Sequence, residues 1–337
     1  MKIRFFLFFV FLLGCQTNPD PTEQFRSEMR SELTGRPGVS FVPIKSLRTP
    51  RVEEYFQHWK FREIEHPWGG EVTAWEGLLP FQDGDLFATV FLPPGPPRGT
   101  LFIIHGYLAS MGNFSGIIRV MLEEGWAIAS LDLPGHGLSS GVRADIKDFR
   151  VYGEAVQTWL DALHPLQQNL PHPWVALGHS TGGSSFIEHT RHFKAPWDLL
   201  ILSAPLIHHV YWELGQSVAL LNGWWLKSIA PIVSPDSLVG IYAVPTNWAN
   251  ALGRWSANLE LSPNFDLPVI LHQDTTDQVV DWKYNLPLCA KGFPNNSSIF
   301  STGMGHVTLA DFDRYREAFG PILEHILENV RASAGVP

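Results

Sequence analysis

Ser180 stands at the centre of Gly178-His179-Ser180-Thr181-Gly182, a G-x-S-x-G pentapeptide that follows the apolar run Trp174–Leu177. Small flanking residues suit a tight, strained turn between a strand and a helix, with the serine at its apex. A serine hydroxyl is a weak nucleophile until a neighbouring base takes its proton. The pentapeptide therefore acquires meaning only if the chain also supplies a base, an acid and donors for a developing oxyanion. The candidate base is His306, in Gly303-Met304-Gly305-His306-Val307; of the 14 histidines it is marked out by its place in a glycine-rich loop after the last strand-like run. The candidate acid is Asp277, in the loop Asp274-Thr275-Thr276-Asp277-Gln278-Val279-Val280-Asp281. A carboxylate there can hold the imidazole tautomer and stabilise the imidazolium. Asp274 and Asp281 are its rivals. Asp281 is placed to begin the next helix, where an acid is favoured as a cap, and Asp274 stays open as an alternative. An oxyanion needs two backbone donors. One is the N–H of Thr181 and the other that of Tyr107, in His105-Gly106-Tyr107.

These residues need elements that bring them together. Glu71–Leu79 and Leu86–Leu92 read as strands joined around Asp83-Gly84, a hairpin signal. Strand-like Thr100–Ile104 then leads to helical periodicity over Asn113–Glu124, strand Trp126–Leu131 to helix Phe149–Leu163, and strand Trp174–Leu177 to helix Thr181–His192. Leu199–Leu202 is a further strand. The alternation stops in His208–Phe265, which holds Trp212, Trp224, Trp225, Trp248 and Trp255, several prolines and no obvious strand. It resumes with strand Pro268–His272, helix Trp282–Ala290, strand Ser298–Ser301 and a long helix over Thr308–Val330. The expectation is an α/β fold with a mostly parallel sheet covered on both faces. A cap inserted above the sheet would pack its tryptophans on the core and shape an apolar pocket. Every candidate residue falls at the carboxyl end of a strand, where open sheets of this kind carry their sites.

The amino terminus reads as an address. Lys2 and Arg4 precede the apolar run Phe5–Leu13, too short to span a bilayer as a mature helix. Leu12-Leu13-Gly14-Cys15 resembles the lipobox of bacterial lipoproteins, in which cleavage precedes a cysteine that is then lipid-modified. That resemblance implies a lipid anchor on Cys15 and the bacterial cell envelope as location. The absence of Asp after Cys15 favours the outer membrane. An ordinary signal peptide or an uncleaved anchor is the alternative. Polar Thr17–Gly38 reads as a tether, and Arg51–Glu65 as a short amphipathic helix. The expected organisation is a signal peptide over 1–14, tether and N-terminal segment over 15–70, core over 71–205, insertion over 206–266 and core again over 267–337.

Composition narrows the partners. The 337 residues are 45% hydrophobic and 12% aromatic, enough for a large core. A formal net charge of −9 argues against nucleic acid. The two cysteines, Cys15 and Cys289, do not form a C-x-x-C pair, so a cysteine-type zinc site is not expected. No dinucleotide fingerprint or P-loop is present, and no cofactor is expected.

His105-Gly106, Asp132-Leu133-Pro134-Gly135-His136-Gly137-Leu138-Ser139, Gly178–Gly183, Asp277–Asp281 and Gly305-His306 together resemble the monoacylglycerol lipase and lysophospholipase branch of the α/β-hydrolases. The order Ser180, Asp277, His306 is also the one expected of that fold. The resemblance covers Thr100–Val330 apart from the insertion. It implies a metal-independent carboxylic ester hydrolase acting through an acyl-enzyme on a small amphiphilic acyl ester. Ser180 would be the nucleophile, His306 the base, Asp277 the acid, and Tyr107 and Thr181 the oxyanion donors. Asp132, His136 and His179 would shape turns near the site. Another activity on the same scaffold, such as an aminopeptidase, and a non-catalytic surface-anchored binding module are the competing expectations.

Overall fold

The computed structural model describes residues 22–34, 41–43, 49–61, 71–210, 212–213, 228–231, 239, 241, 243–261, 265–306, 320, 323–324 and 328. The Cys15 lipidation signal, Trp224, Trp225 and nearly all of the helix expected over Thr308–Val330 lie outside these residues.

Strands β1 (Val42–Pro43), β2 (Thr73–Phe81), β3 (Gly84–Leu92), β4 (Thr100–Ile104), β5 (Ala127–Leu131), β6 (Trp174–His179) and β7 (Leu199–Ser203) enter one sheet. After β8 (Ser228–Pro231) and β9 (Ala243–Pro245), which pair only with each other, β10 (Val269–Asp274) and β11 (Asn296–Ser301) complete it. Among the described residues the sheet has nine strands in the order β1-β2-β3-β5-β4-β6-β7-β10-β11. From β5 to β11 every neighbouring pair is parallel, while β1, β2 and β3 join through antiparallel pairs. The parallel strands β4, β5 and β7 are buried along their whole length, as two-sided coverage requires.

Alternation along the strands sorts side chains to two cores. Phe102 and Ile104 of β4 join a cluster with Tyr152 and Trp159 from helix α4 (Arg150–Ala162) and Phe186 from helix α5 (Thr181–His192). Trp248 and Trp255 from helix α6 (Thr246–Ala257) and Leu286 and Cys289 from helix α7 (Trp282–Gly292) belong to the same cluster. Leu101 and Ile103 face the other way, onto helix α1 (Glu23–Thr34), helix α2 (Pro50–His58) and helix α3 (Ser115–Glu123).

Several boundaries move for physical reasons. The hairpin strands run to Phe81 and start at Gly84, because Gln82 takes a left-handed φ of 51° and closes a two-residue turn. The helix expected from Asn113 begins as a 3₁₀ turn over Met111–Phe114, capped by Ser110 and Asn113. The reading of Thr17–Gly38 as a tether is corrected by α1: Phe25 and Met29 are buried one turn apart, and the Arg26 guanidinium donates to the carbonyls of Gly137 and Ser139. The insertion, read as strandless, holds the short antiparallel pair β8–β9 ahead of α6.

Candidate active site

The sheet register sets the site. Ile104 lies beside Gly178, His179 beside Ser203, and Asp274 beside Ser301, so the loops after β4, β6, β10 and β11 leave the sheet at one edge. Between β6 and α5 the chain reverses through Ser180, whose backbone holds φ 52° and ψ −115°, a strained conformation for a residue with a side chain. The flanking glycines are required by space. A Cβ on Gly182 would stand 2.2 Å from the Ile104 carbonyl oxygen, and one on Gly178 would stand 2.6 Å from the backbone of Gly182.

The structure brings Ser180, His306 and Asp277 into one hydrogen-bonded line. Ser180 Oγ is 3.1 Å from His306 Nε2, and His306 Nδ1 is 2.8 Å from Asp277 Oδ2. Burial works to raise the Asp277 pKa, but the bond to His306 and the amides of Val279 and Val280 outweigh it and hold the carboxyl below its ordinary value. An ionised carboxylate only accepts, so the proton of a neutral imidazole sits on Nδ1. Nε2 is then the acceptor, and the Ser180 hydroxyl donates to it.

Asp274 goes elsewhere. Its oxygens accept from the amide and hydroxyl of Thr276, the hydroxyl of Ser301 and the amide of Met304, so it ties the His306 loop to β10. Asp281 caps α7 through the amide of Tyr284. His179 braces the site from below: its Nε2–H donates to the His306 carbonyl at 2.7 Å. Burial, then the neighbouring His306, push its pKa down to about 3, so the ring is neutral.

The start of α5 and the Gly106-Tyr107 turn flank Ser180. Thr181 is the first residue of α5, where helical N–H groups have no partner within the helix. Gly106 packs so closely that a Cβ there would stand 3.2 Å from Ser180 Cβ, which brings the Gly106-Tyr107 turn alongside the serine. A buried lattice holds this turn. His105 Nδ1–H donates to the Gly106 carbonyl and Nε2 accepts from the Leu133 amide, while Asp132 accepts from the amides of Met111 and Leu138. Among the described residues no group of three or more His, Cys, Asp or Glu side chains could hold a metal ion, and no helix is long and apolar enough to cross a membrane.

A family model described as serine aminopeptidase, S33, matches residues 95–247. The monoglyceride lipase of Rattus norvegicus is 31% identical over 223 residues, covering 59% of this chain and 71% of that one. The chain belongs to the α/β-hydrolases, in their monoglyceride lipase-like branch. Phospholipase YtpA of Bacillus subtilis is 30% identical over 43% of this chain and 54% of its own. The monoacylglycerol lipase of Mycolicibacterium smegmatis is 27% identical over 35% and 42%. The chain thus spans about half the length of these two relatives. A soluble variant of Saccharomyces cerevisiae monoglyceride lipase shares the fold at a TM-score of 0.57 and 16% identity, over 80% of this chain and 95% of that one.

In this α/β-hydrolase the hydrogen-bonded line can draw a proton from Ser180. Two contacts that the sequence did not indicate also hold the site. Asn285 on α7 is fully buried and bonds the amide and carbonyl of His208 and the carbonyl of Pro205, fastening the start of the insertion to α7. Trp248 stacks on Tyr107 with ring centroids 3.6 Å apart. Neither contact leaves a periodicity, since each joins a helix to a loop far away in sequence.

Proposed function

We propose that this α/β-hydrolase cleaves carboxylic esters through an acyl-enzyme, with a monoacylglycerol or lysophospholipid as its substrate. The observation that carries the reading is the line from Ser180 Oγ through the His306 ring to the ionised Asp277, with distances of 3.1 Å and 2.8 Å. Ser180 attacks the ester carbonyl as His306 Nε2 takes its proton. Asp277 stabilises the imidazolium, and the N–H groups of Tyr107 and Thr181 receive the oxyanion. His306 then protonates the departing alcohol, and a water deprotonated by the same nitrogen releases the carboxylate. The lipid-ester class is supported by the lipase and phospholipase names of the relatives and by the aromatic-rich insertion over 206–266. Lipidation at Cys15 would place the enzyme at an envelope membrane where such substrates reside; the lipobox-like residues support that part of the reading.

The test is the initial rate of hydrolysis across p-nitrophenyl esters, monoacylglycerols and lysophospholipids, with Ser180→Ala beside the wild type. Long monoacyl lipids should turn over fastest, and Ser180→Ala should lose about three or more orders of magnitude in kcat with its fold intact. Hydrolysis of short esters alone would remove the lipase reading. The aminopeptidase description of the matching family model favours a second reading, and turnover of proline amides above all esters would establish it. Radiolabelled palmitate incorporation that vanishes in Cys15→Ser checks the anchor.

A further inference from the structure

We infer that Trp248, on the insertion helix α6, is a positioning residue that sets the backbone of Tyr107 and so aims one of the oxyanion donors. The inference rests on the ester-hydrolase reading of the site. The Gly106 carbonyl is held by the His105 ring and the Ala109 amide, and Leu108 follows Tyr107 with a left-handed φ of 65°. The Tyr107 peptide between them is held further by its own side chain, which is clamped on three sides. Its hydroxyl donates to the Ala144 carbonyl at 2.8 Å, and the His136 ring meets it edge to face at 5.3 Å. The Trp248 indole covers one ring face, 18° from parallel.

The indole is itself held. Trp248 Nε1–H donates to the hydroxyl of buried Tyr152 at 3.1 Å, and Trp248 is 6% exposed. The helix that carries it is fastened to the core at separate points. Trp255 Nε1–H donates to Glu188 at 2.7 Å and its ring stacks on Phe149, while Arg254 donates to the Lys147 carbonyl and Asn247 to Asp145. A rigid helix thus presses a flat surface on a ring whose Cα carries the N–H in question. If the indole is removed, the tyrosine ring gains room to tilt about its hydroxyl contact, and the N–H swings with it. That donor is needed most when negative charge develops, so its misalignment belongs in kcat rather than in ground-state binding.

The measurement uses the full chain and p-nitrophenyl butyrate, with Trp248→Leu, Trp248→Phe and Ser180→Ala beside the wild type. Trp248→Leu should lower kcat by roughly 10- to 100-fold with KM within about twofold. Trp248→Phe, which keeps an aromatic face, should fall between it and the wild type. Affinity for butylboronic acid, whose tetrahedral adduct fills the oxyanion position, should drop in proportion to kcat. Affinity for an uncleavable ether analogue should not. If Trp248→Leu does not fold, the Phe variant decides by the same paired readout. An undiminished kcat, a loss confined to KM, or a boronate affinity that stays while kcat falls overturns the inference and makes Trp248 a pocket wall. A wild type that hydrolyses no ester, or a Ser180→Ala variant as active as wild type, overturns the reading of the site and the inference with it.

Discussion

Asp274 and Asp277 share one loop and one side-chain type, and the atoms around them give them different work. Asp277 turns one oxygen to His306 and Gln273 and the other to the amides of Val279 and Val280. Asp274 spends all its contacts within the two loops it joins. Asp277→Asn should therefore lower kcat by about 10³ to 10⁴, because an amide no longer fixes the Nδ1–H tautomer. Asp274→Asn should spare the chemistry. It should cost about 1–3 kcal/mol of stability through acceptors lost to Ser301, Thr276 or Met304, with less than about a tenfold loss of kcat. Steady-state rates and urea unfolding of the two variants check both statements, and the opposite ranking would make Asp274 the acid. At this scale the sequence was legible in residue type and order, since Ser180, the acid loop and His306 each sit in a short motif. The choice between the aspartates was not legible, because it depends on a hydrogen bond to a histidine 29 positions away.

At the scale of elements, legibility followed periodicity. Strands β4 and β6 and helix α5 could be read directly, because continuous apolar runs and glycine-marked turns bound them. Helix α1 could not. Its apolar stripe is short, Phe25 and Met29 with half-buried Leu33, and its main anchor, Arg26, is a charged residue at 5% exposure. Arg26 donates to Gly137 and Ser139, and Arg30 donates to Leu138 and pairs with Asp85, so the helix grips the loop that Asp132 organises. Arg26→Ala leaves two carbonyls of that loop without these donors. It should cost about 2–3 kcal/mol, seen as a lower urea midpoint at unchanged slope, whereas Arg26→Lys should recover part of it. An unchanged midpoint would mean that α1 rests on the core without stabilising it. The strands β8 and β9 were equally hidden, being four and three residues long and each ending in proline.

The whole molecule buries an unusual set of neutral bases. His105, His136, His179, His189 and His272 are all 5% exposed or less, and burial is the first cause that lowers the pKa of each. For His105, His189 and His272 it falls to about 4, and for His179 to about 3. These rings bridge the strand ends: His105 holds the Gly106-Tyr107 turn, His179 the His306 loop, and His272 meets the Ser203 and Ser301 hydroxyls across three neighbouring strands. In the unfolded chain each titrates near 6.5 and gains a proton below it, whereas in the folded chain His105, His189 and His272 stay neutral until the pH approaches 4, His179 until about 3, and His136 to well below 6.5. Between those limits the unfolded state holds more protons, so stability falls as the pH falls. Each ring contributes up to about 1.4 kcal/mol per pH unit in that window. Asp274 and Asp277, held below 3.8 when folded, add their own loss only at lower pH. The unfolding free energy should thus be nearly level from pH 8 to 7 and drop steeply from 6.5 toward 4. Proton uptake on unfolding near pH 5 should approach one for each of these five rings. Urea titrations across this range, with His272→Gln as a variant lacking one such ring, measure it directly. A flat profile between pH 6.5 and 5 would mean that these histidines are protonated in the folded protein and that the neutral lattice behind the site is wrong. The variant should lose stability at pH 8 and show a shallower slope below 6.5, which separates the titration of His272 from its packing.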